Sequence, residues 1–180
     1  MTSPSKVIMR SLDQSGTKLR SLSESMSDDE FFAEDQTGMS VAWHYCHLLS
    51  LEDWTVNRVI LEGKPKLPFE FRDAFRGGRP ITDQDRGLFP TKLKLESDFS
   101  RTRESSLLVL SKFDDSNWNR STPNDCRFAT LGDVWENLAN DSWWHIGYVA
   151  ATVPRCVGSL QATMKPRFYS TDLDDINLSN

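Results

Sequence analysis

Apolar positions along this chain recur at the spacing of helices rather than strands. Val7 and Ile8 lead into Leu12, Leu19, Leu22 and Met26 at intervals of four, seven, three and four, which predicts a first helix from residue 4 to about 26. Ser3 is placed to cap it, Pro4 falls in the favoured first turn and Gly16 weakens its middle. The stretch "SDDEFFAEDQTGMS" then breaks the pattern: acids surround Phe31 and Phe32, and Gly38 ends the segment. From Ser40 to about Leu61 the periodicity is clearest. At about 100° per residue, Val41, His44, Leu48, Leu51 and Thr55 share one side of a second helix, with His47 on the shoulder of that face and Ser40 as its cap.

Residues 63–90 hold four prolines and four glycines and read as a long surface connection, pinned by Phe69, Phe71 and Phe75. A loop of that length in a compact domain calls for a task, here carrying the chain along a bundle. A third helix is predicted from about Thr91 to Phe113, with Leu95, Phe99, Leu107, Leu110 and Phe113 facing inward. After a polar connector, Thr130 and Asp133 form a Thr-x-x-Asp start resembling a capping box, and a fourth helix follows to about Val153, with Pro154 interrupting it. No stretch alternates with period two between hairpin turns. The expectation is an all-α four-helix bundle with one long crossover loop and a short C-terminal extension, residues 1–165, followed by an acidic tail at 166–180.

Composition narrows this picture. A chain of 180 residues supports one buried core, and 38% hydrophobic with 26% charged residues is far from a disordered composition. The net charge of -5 argues against nucleic acid; the most basic stretch, "TKLKLESDFSRTR", is interleaved with acids and reads as a solvated helix face. Cys46, Cys126 and Cys156 are odd in number and lack CxxC spacing, so a reducing compartment is expected, with Cys46 a small buried hydrophobe. No apolar run approaches the roughly 20 residues of a membrane span and no leader-like segment opens the chain, which leads to an expectation of a soluble, cytoplasmic protein. The Gly77-Gly78 pair has no phosphate-loop context.

Chemistry, if present, belongs to the histidines. On the fourth helix Asp141 and His145 lie four apart, so their side chains stand one above the other on the face shared by Val134, Leu138, Tyr148 and Thr152. His44 and His47 occupy the apolar second helix, so all three histidines sit on the two most apolar helices. Bundles build metal sites from such facing side chains, and an imidazole and carboxylate set suits Zn, Ni, Fe(II) or Mn. Two accounts compete for His47, Asp141 and His145: a metal ion, or an Asp to His hydrogen bond across the bundle that satisfies both groups without one. His44 reads as a hydrogen-bonded core residue.

The stretch "MSVAWHYCHLLSLEDWTVNRVILEG" resembles the second helix of the DinB/YfiT-like superfamily, in which a metal-binding His precedes an acidic-aromatic pair and a Gly ends the helix. "LGDVWENLANDSWWHIGYVAA" resembles its later helix, where a His-x-x-x-His-x-Gly motif supplies two more ligands. The resemblance implies a four-helix bundle with His47, Asp141 and His145 as three ligands to a divalent metal ion, Zn or Ni first and Fe or Mn next. Asp141 departs from the His of most relatives, although the mycothiol-dependent maleylpyruvate isomerases of the superfamily carry an acid there. The implied activity is a metal-dependent transferase or isomerase that uses a low-molecular-weight thiol against a small electrophile, related to the bacillithiol transferases. On that reading Arg58 pairs with a substrate carboxylate or else sits in a rim salt bridge, and Tyr148 and Trp144 wall a pocket or else fill core. The alternative is a non-catalytic bundle with a degenerate metal site, acting through homodimerisation or partner binding. Six tryptophans in 180 residues favour an association surface, and a homodimer is expected on either reading.

Overall fold

Caps and apolar stripes set most element boundaries where the periodicity puts them. The computed structural model describes residues 3–79, 81–123 and 126–152. Helix α1 spans Pro4–Ser23, α2 Asp28–Phe32, α3 Val41–Asp53, α4 Phe69–Ala74, α5 Asp83–Arg86, α6 Lys92–Leu110, α7 Asp115–Trp118 and α8 Leu131–Thr152. There is no strand among the described residues, only an isolated bridge between Ser121 and Thr130. The all-α expectation therefore holds. Pro154, Cys156, the end of the 1–165 unit and the tail at 166–180 lie outside the described residues.

Two apolar clusters reveal how the long helices run. Leu19, Leu22, Leu48, Leu49, Leu95, Phe99, Ile146 and Val149 belong to one cluster, built around Phe31, Tyr45 and Phe75. Leu12, Val56, Val59, Leu110, Leu131, Trp135 and Leu138 belong to the other. Reading along the chain, α1 and α8 pass from the second cluster to the first, whereas α3 and α6 pass from the first to the second. Consecutive long helices α3 and α6 thus run parallel. A parallel pair cannot be joined by a short turn, which explains the long connection at residues 61–91. Each fully buried large apolar side chain, such as Leu48, Leu95 or Phe99, contributes about 1.5–3 kcal/mol by leaving water.

Between the clusters the core is polar. Ser15, Glu52, Arg103 and Ser142, one from each long helix, meet at the same level of the bundle. Arg103 donates to Glu52 Oε2, to Ser15 Oγ, to the Leu12 carbonyl and to Ser142 Oγ. The stretch read as a solvated helix face is therefore solvated in part only. Lys94, Asp98 and Arg101 form surface ion pairs, while Arg103 is buried in one of the most buried ion pairs of the fold. Gly16, expected to weaken α1, faces α6 beside this layer, where a Cβ would stand 3.6 Å from Arg103 Cγ and 3.7 Å from Phe99 Cε1, ordinary van der Waals contact.

Other expectations change in detail. The surface loop at 63–90 is structured, with α4 and α5 inside it and Phe75 fully buried against Phe71 and Phe89. The broken stretch at 27–40 contains α2, started by a Ser27/Glu30 capping box, and buries Phe31 completely. The second predicted helix changes character at Trp54, where a π-helical segment, Trp54–Ile60, continues α3. Ser3 makes no cap bond to α1, while Ser40 caps α3 and Thr130 with Asp133 makes the expected reciprocal pair at α8. Val7 and Thr152 are exposed rather than inward. Cys46 is buried and free, its thiol pushed up by burial. None of the described helices is long and apolar enough to cross a membrane.

Candidate metal centre

Helix α3 enters from its Ser40 cap and is buried on nearly every side, so His44 and His47, less than a turn apart, both lie in the interior. Helix α8 runs antiparallel to it and brings Asp141 and His145 to the same level. One donor atom from each of His47, Asp141 and His145 falls within 4.8 Å of the others. His47 Nε2 stands 3.6 Å from Asp141 Oδ2, and His145 Nε2 stands 3.5 Å from the same oxygen. These are long for hydrogen bonds. They suit two ligands of one ion, because donors about 2.0–2.2 Å from a shared metal at open angles stand about 3.3–3.6 Å apart.

The hydrogen-bond inventory bears on the two accounts left open by spacing. His47 Nε2 and Asp141 Oδ2 are both buried and both lack a partner. An Asp to His bond would have satisfied them; here the atoms face one another unpaired, which for buried polar groups costs about 1–3 kcal/mol each unless something binds. The donor set of two imidazoles and one carboxylate therefore fits a divalent cation, with coordination positions left for water or a substrate.

Each imidazole is held through its other nitrogen. His47 Nδ1 lies 2.8 Å from the Phe75 carbonyl oxygen, which can only accept, so Nδ1 carries a proton and in the neutral ring the lone pair is on Nε2. His145 Nδ1 lies 2.8 Å from His44 Nδ1. The Trp43 indole stacks on His47 at 5.0 Å between centroids and an interplanar angle of 6°, and it meets His44 edge-on. Burial first and His47 second push His44 down to about 3, and burial with the neighbouring imidazoles pushes His145 well below its ordinary value. Both rings are neutral near pH 7, the form that binds metal.

The remaining candidates are distributed around this centre. Trp144 is 48% exposed, packs edge-on against His145 and stacks with Tyr148, so it is not core. Tyr148 is half-buried and donates to Asp35 Oδ2 at 2.7 Å, tying α8 to the segment before α3. Arg58 lies on the π-helical segment, half-buried and engaged in contacts of its own. His44 is the hydrogen-bonded core residue its setting suggested, but its partner is a member of the cluster. The Phe75 carbonyl had no signature in the sequence beyond the burial expected of an aromatic in the crossover.

No curated protein matches this chain. The family model of the DinB superfamily matches residues 11–149, which include His47, Asp141 and His145. That match spans most of the bundle, the whole long crossover and all three histidines, and the chain belongs to the DinB superfamily.

Proposed function

We propose that His47, Asp141 and His145 hold a divalent cation, Zn or Ni first and Fe or Mn next, and that the protein is a thiol-dependent transferase or isomerase acting on a small electrophile. The observation that carries this reading is the pair of buried, unpartnered donors, His47 Nε2 and Asp141 Oδ2, aimed at one point with His145 Nε2. A cation bound there would supply Lewis acidity and lower the pKa of a coordinated thiol, making the thiolate nucleophile. The chain's own contribution is orientation and exclusion. The Phe75 carbonyl and Trp43 fix the His47 ring, burial keeps the His145 imidazole neutral, and three protein donors leave coordination positions for an outside ligand. Trp144, exposed and packed on His145, places an apolar side chain beside the centre.

The test is metal analysis of protein prepared without a histidine tag, followed by assay of the loaded protein with low-molecular-weight thiols and a chromogenic electrophile. About one ion per chain, lost in His47→Ala and His145→Ala with the helical fold retained, supports the metal reading; thiol-dependent turnover lost in the same variants supports the enzyme. A metal-free protein whose melting is indifferent to chelator and to added Zn or Ni sinks both.

A second reading, a non-catalytic bundle acting through homodimerisation, is favoured by the exposed neighbours Trp143 and Trp144 at 40% and 48% exposure. Light scattering of the intact protein and of Trp144→Ser distinguishes it: a dimer that dissociates in the variant, together with absent turnover, favours association as the function.

A further inference from the structure

We infer that His44 is a positioning residue of the centre: its Nδ1 accepts the Nδ1–H of His145 and thereby leaves the His145 Nε2 lone pair facing Asp141 and His47. The inference rests on the metal reading above and extends it to a residue outside the ligand cluster. Two ring nitrogens 2.8 Å apart require a single proton between them. If His44 supplied it, His145 would carry its own hydrogen on Nε2 and point that hydrogen at the place where the donors converge, 3.5 Å from Asp141 Oδ2. If His145 supplies it, Nε2 is bare, His44 is protonated on Nε2, and all three donor atoms of the cluster present lone pairs together.

His44 is suited to this task and not to ligation. Its Nδ1 is already engaged by His145, it is buried, and its ring is boxed by Trp43 at 5.2 Å and Tyr148 at 5.1 Å between centroids. The two imidazoles of the centre are thus oriented by different devices. His47 faces a backbone carbonyl that can only accept, whereas His145 faces a side chain that must be in the right tautomer. An acceptor that orients a ligand imidazole through its far nitrogen is worth about 10–100-fold in metal affinity.

The experiment compares the wild type with His44→Phe, which keeps ring bulk but has no acceptor, and His44→Asn, whose amide oxygen stands near the former Nδ1. Zn affinity is read by competition with a chromophoric chelator, and the tautomer of His145 by nitrogen-15 NMR of the metal-free proteins. The expected result is an Nδ1–H tautomer of His145 in the wild type, about 10–100-fold weaker Zn binding in His44→Phe, and recovery of most of that loss in His44→Asn. An Nε2–H tautomer in the wild type overturns the inference, as does Zn affinity unchanged in His44→Phe or no better in His44→Asn. Failure of the wild type to bind Zn overturns the metal reading instead. The tautomer, measured without metal, still decides whether His44 sets His145, including where His44→Phe does not fold.

Discussion

Arg103 and Glu52 face each other across the middle of the bundle with their side chains 6% and 0% exposed, the Arg103 Nη2 and Nε atoms lying 2.9 and 3.0 Å from one carboxylate oxygen. Around them Ser15, Ser142 and the Leu12 carbonyl take the other guanidinium hydrogens. Removing one partner strands a charge in the core. Arg103→Met is expected to cost about 3–5 kcal/mol in urea denaturation, and Arg103→Met combined with Glu52→Leu to cost much less than the sum of the singles. Additive losses would show that the pair is not a unit.

Asp141 is the only carboxylate of the three donors. Asp141→Asn keeps the volume and removes the charge, and it is expected to weaken Zn or Ni binding by at least about tenfold, since even outer-shell changes cost that much. Asp141→His supplies a third imidazole and is expected to bind at least as tightly as the wild type. Isothermal titration with each ion checks both, and an Asn variant equal to the wild type would remove Asp141 from the ligand set.

Asp35 supplies a pH dependence remote from the histidines. Burial by itself would raise its pKa, but hydrogen bonds from Thr37, Tyr148 and the Thr37 and Met39 amides outweigh burial and hold it below its ordinary 3.8. A carboxylate depressed on folding stabilises fully above its unfolded pKa, and that contribution disappears as pH falls through the lower folded value. Asp35→Asn is therefore expected to lower the melting temperature at pH 7 and to differ less from the wild type near pH 2.5. An equal deficit at both pH values would assign the effect to shape, not charge.

Gly132 opens α8 beneath the Trp118 indole, and a Cβ at that position would overlap the ring. Gly132→Ala is expected to destabilise by about 1–3 kcal/mol through overpacking despite the better helix propensity of Ala. Calorimetry of Gly132→Ala and of its combination with Trp118→Ala provides the check: the second change should relieve part of the first.

The long helices were legible because their apolar spacing and caps agree with where they pack, as at Ser40 and Thr130. His47, Asp141 and His145 stood out as polar residues on apolar faces, and family resemblance grouped them. Arg103 was hidden by its charged neighbours, although Phe99, Arg103, Ser106 and Leu110 follow one helical stripe and all four are buried. A charge inside an apolar stripe was the available signal. The switch to π-helical geometry at Trp54 carried none, since no glycine or proline stands in the segment to mark it. Nor did the folding of the crossover, whose proline and glycine content describes bends well and burial poorly.

That crossover delivers the acceptor for His47 from the Phe75 main chain. Every amino acid has a carbonyl, so no replacement at position 75 deletes the acceptor itself; it can only displace it. A scan of side chains would score Phe75 as packing and miss its part in aiming an imidazole. The orientation of His47 is written in where the chain stands at the end of α4, so shortening or lengthening the crossover ahead of Phe75 by one residue is expected to misalign the imidazole while leaving every ligand side chain in the sequence.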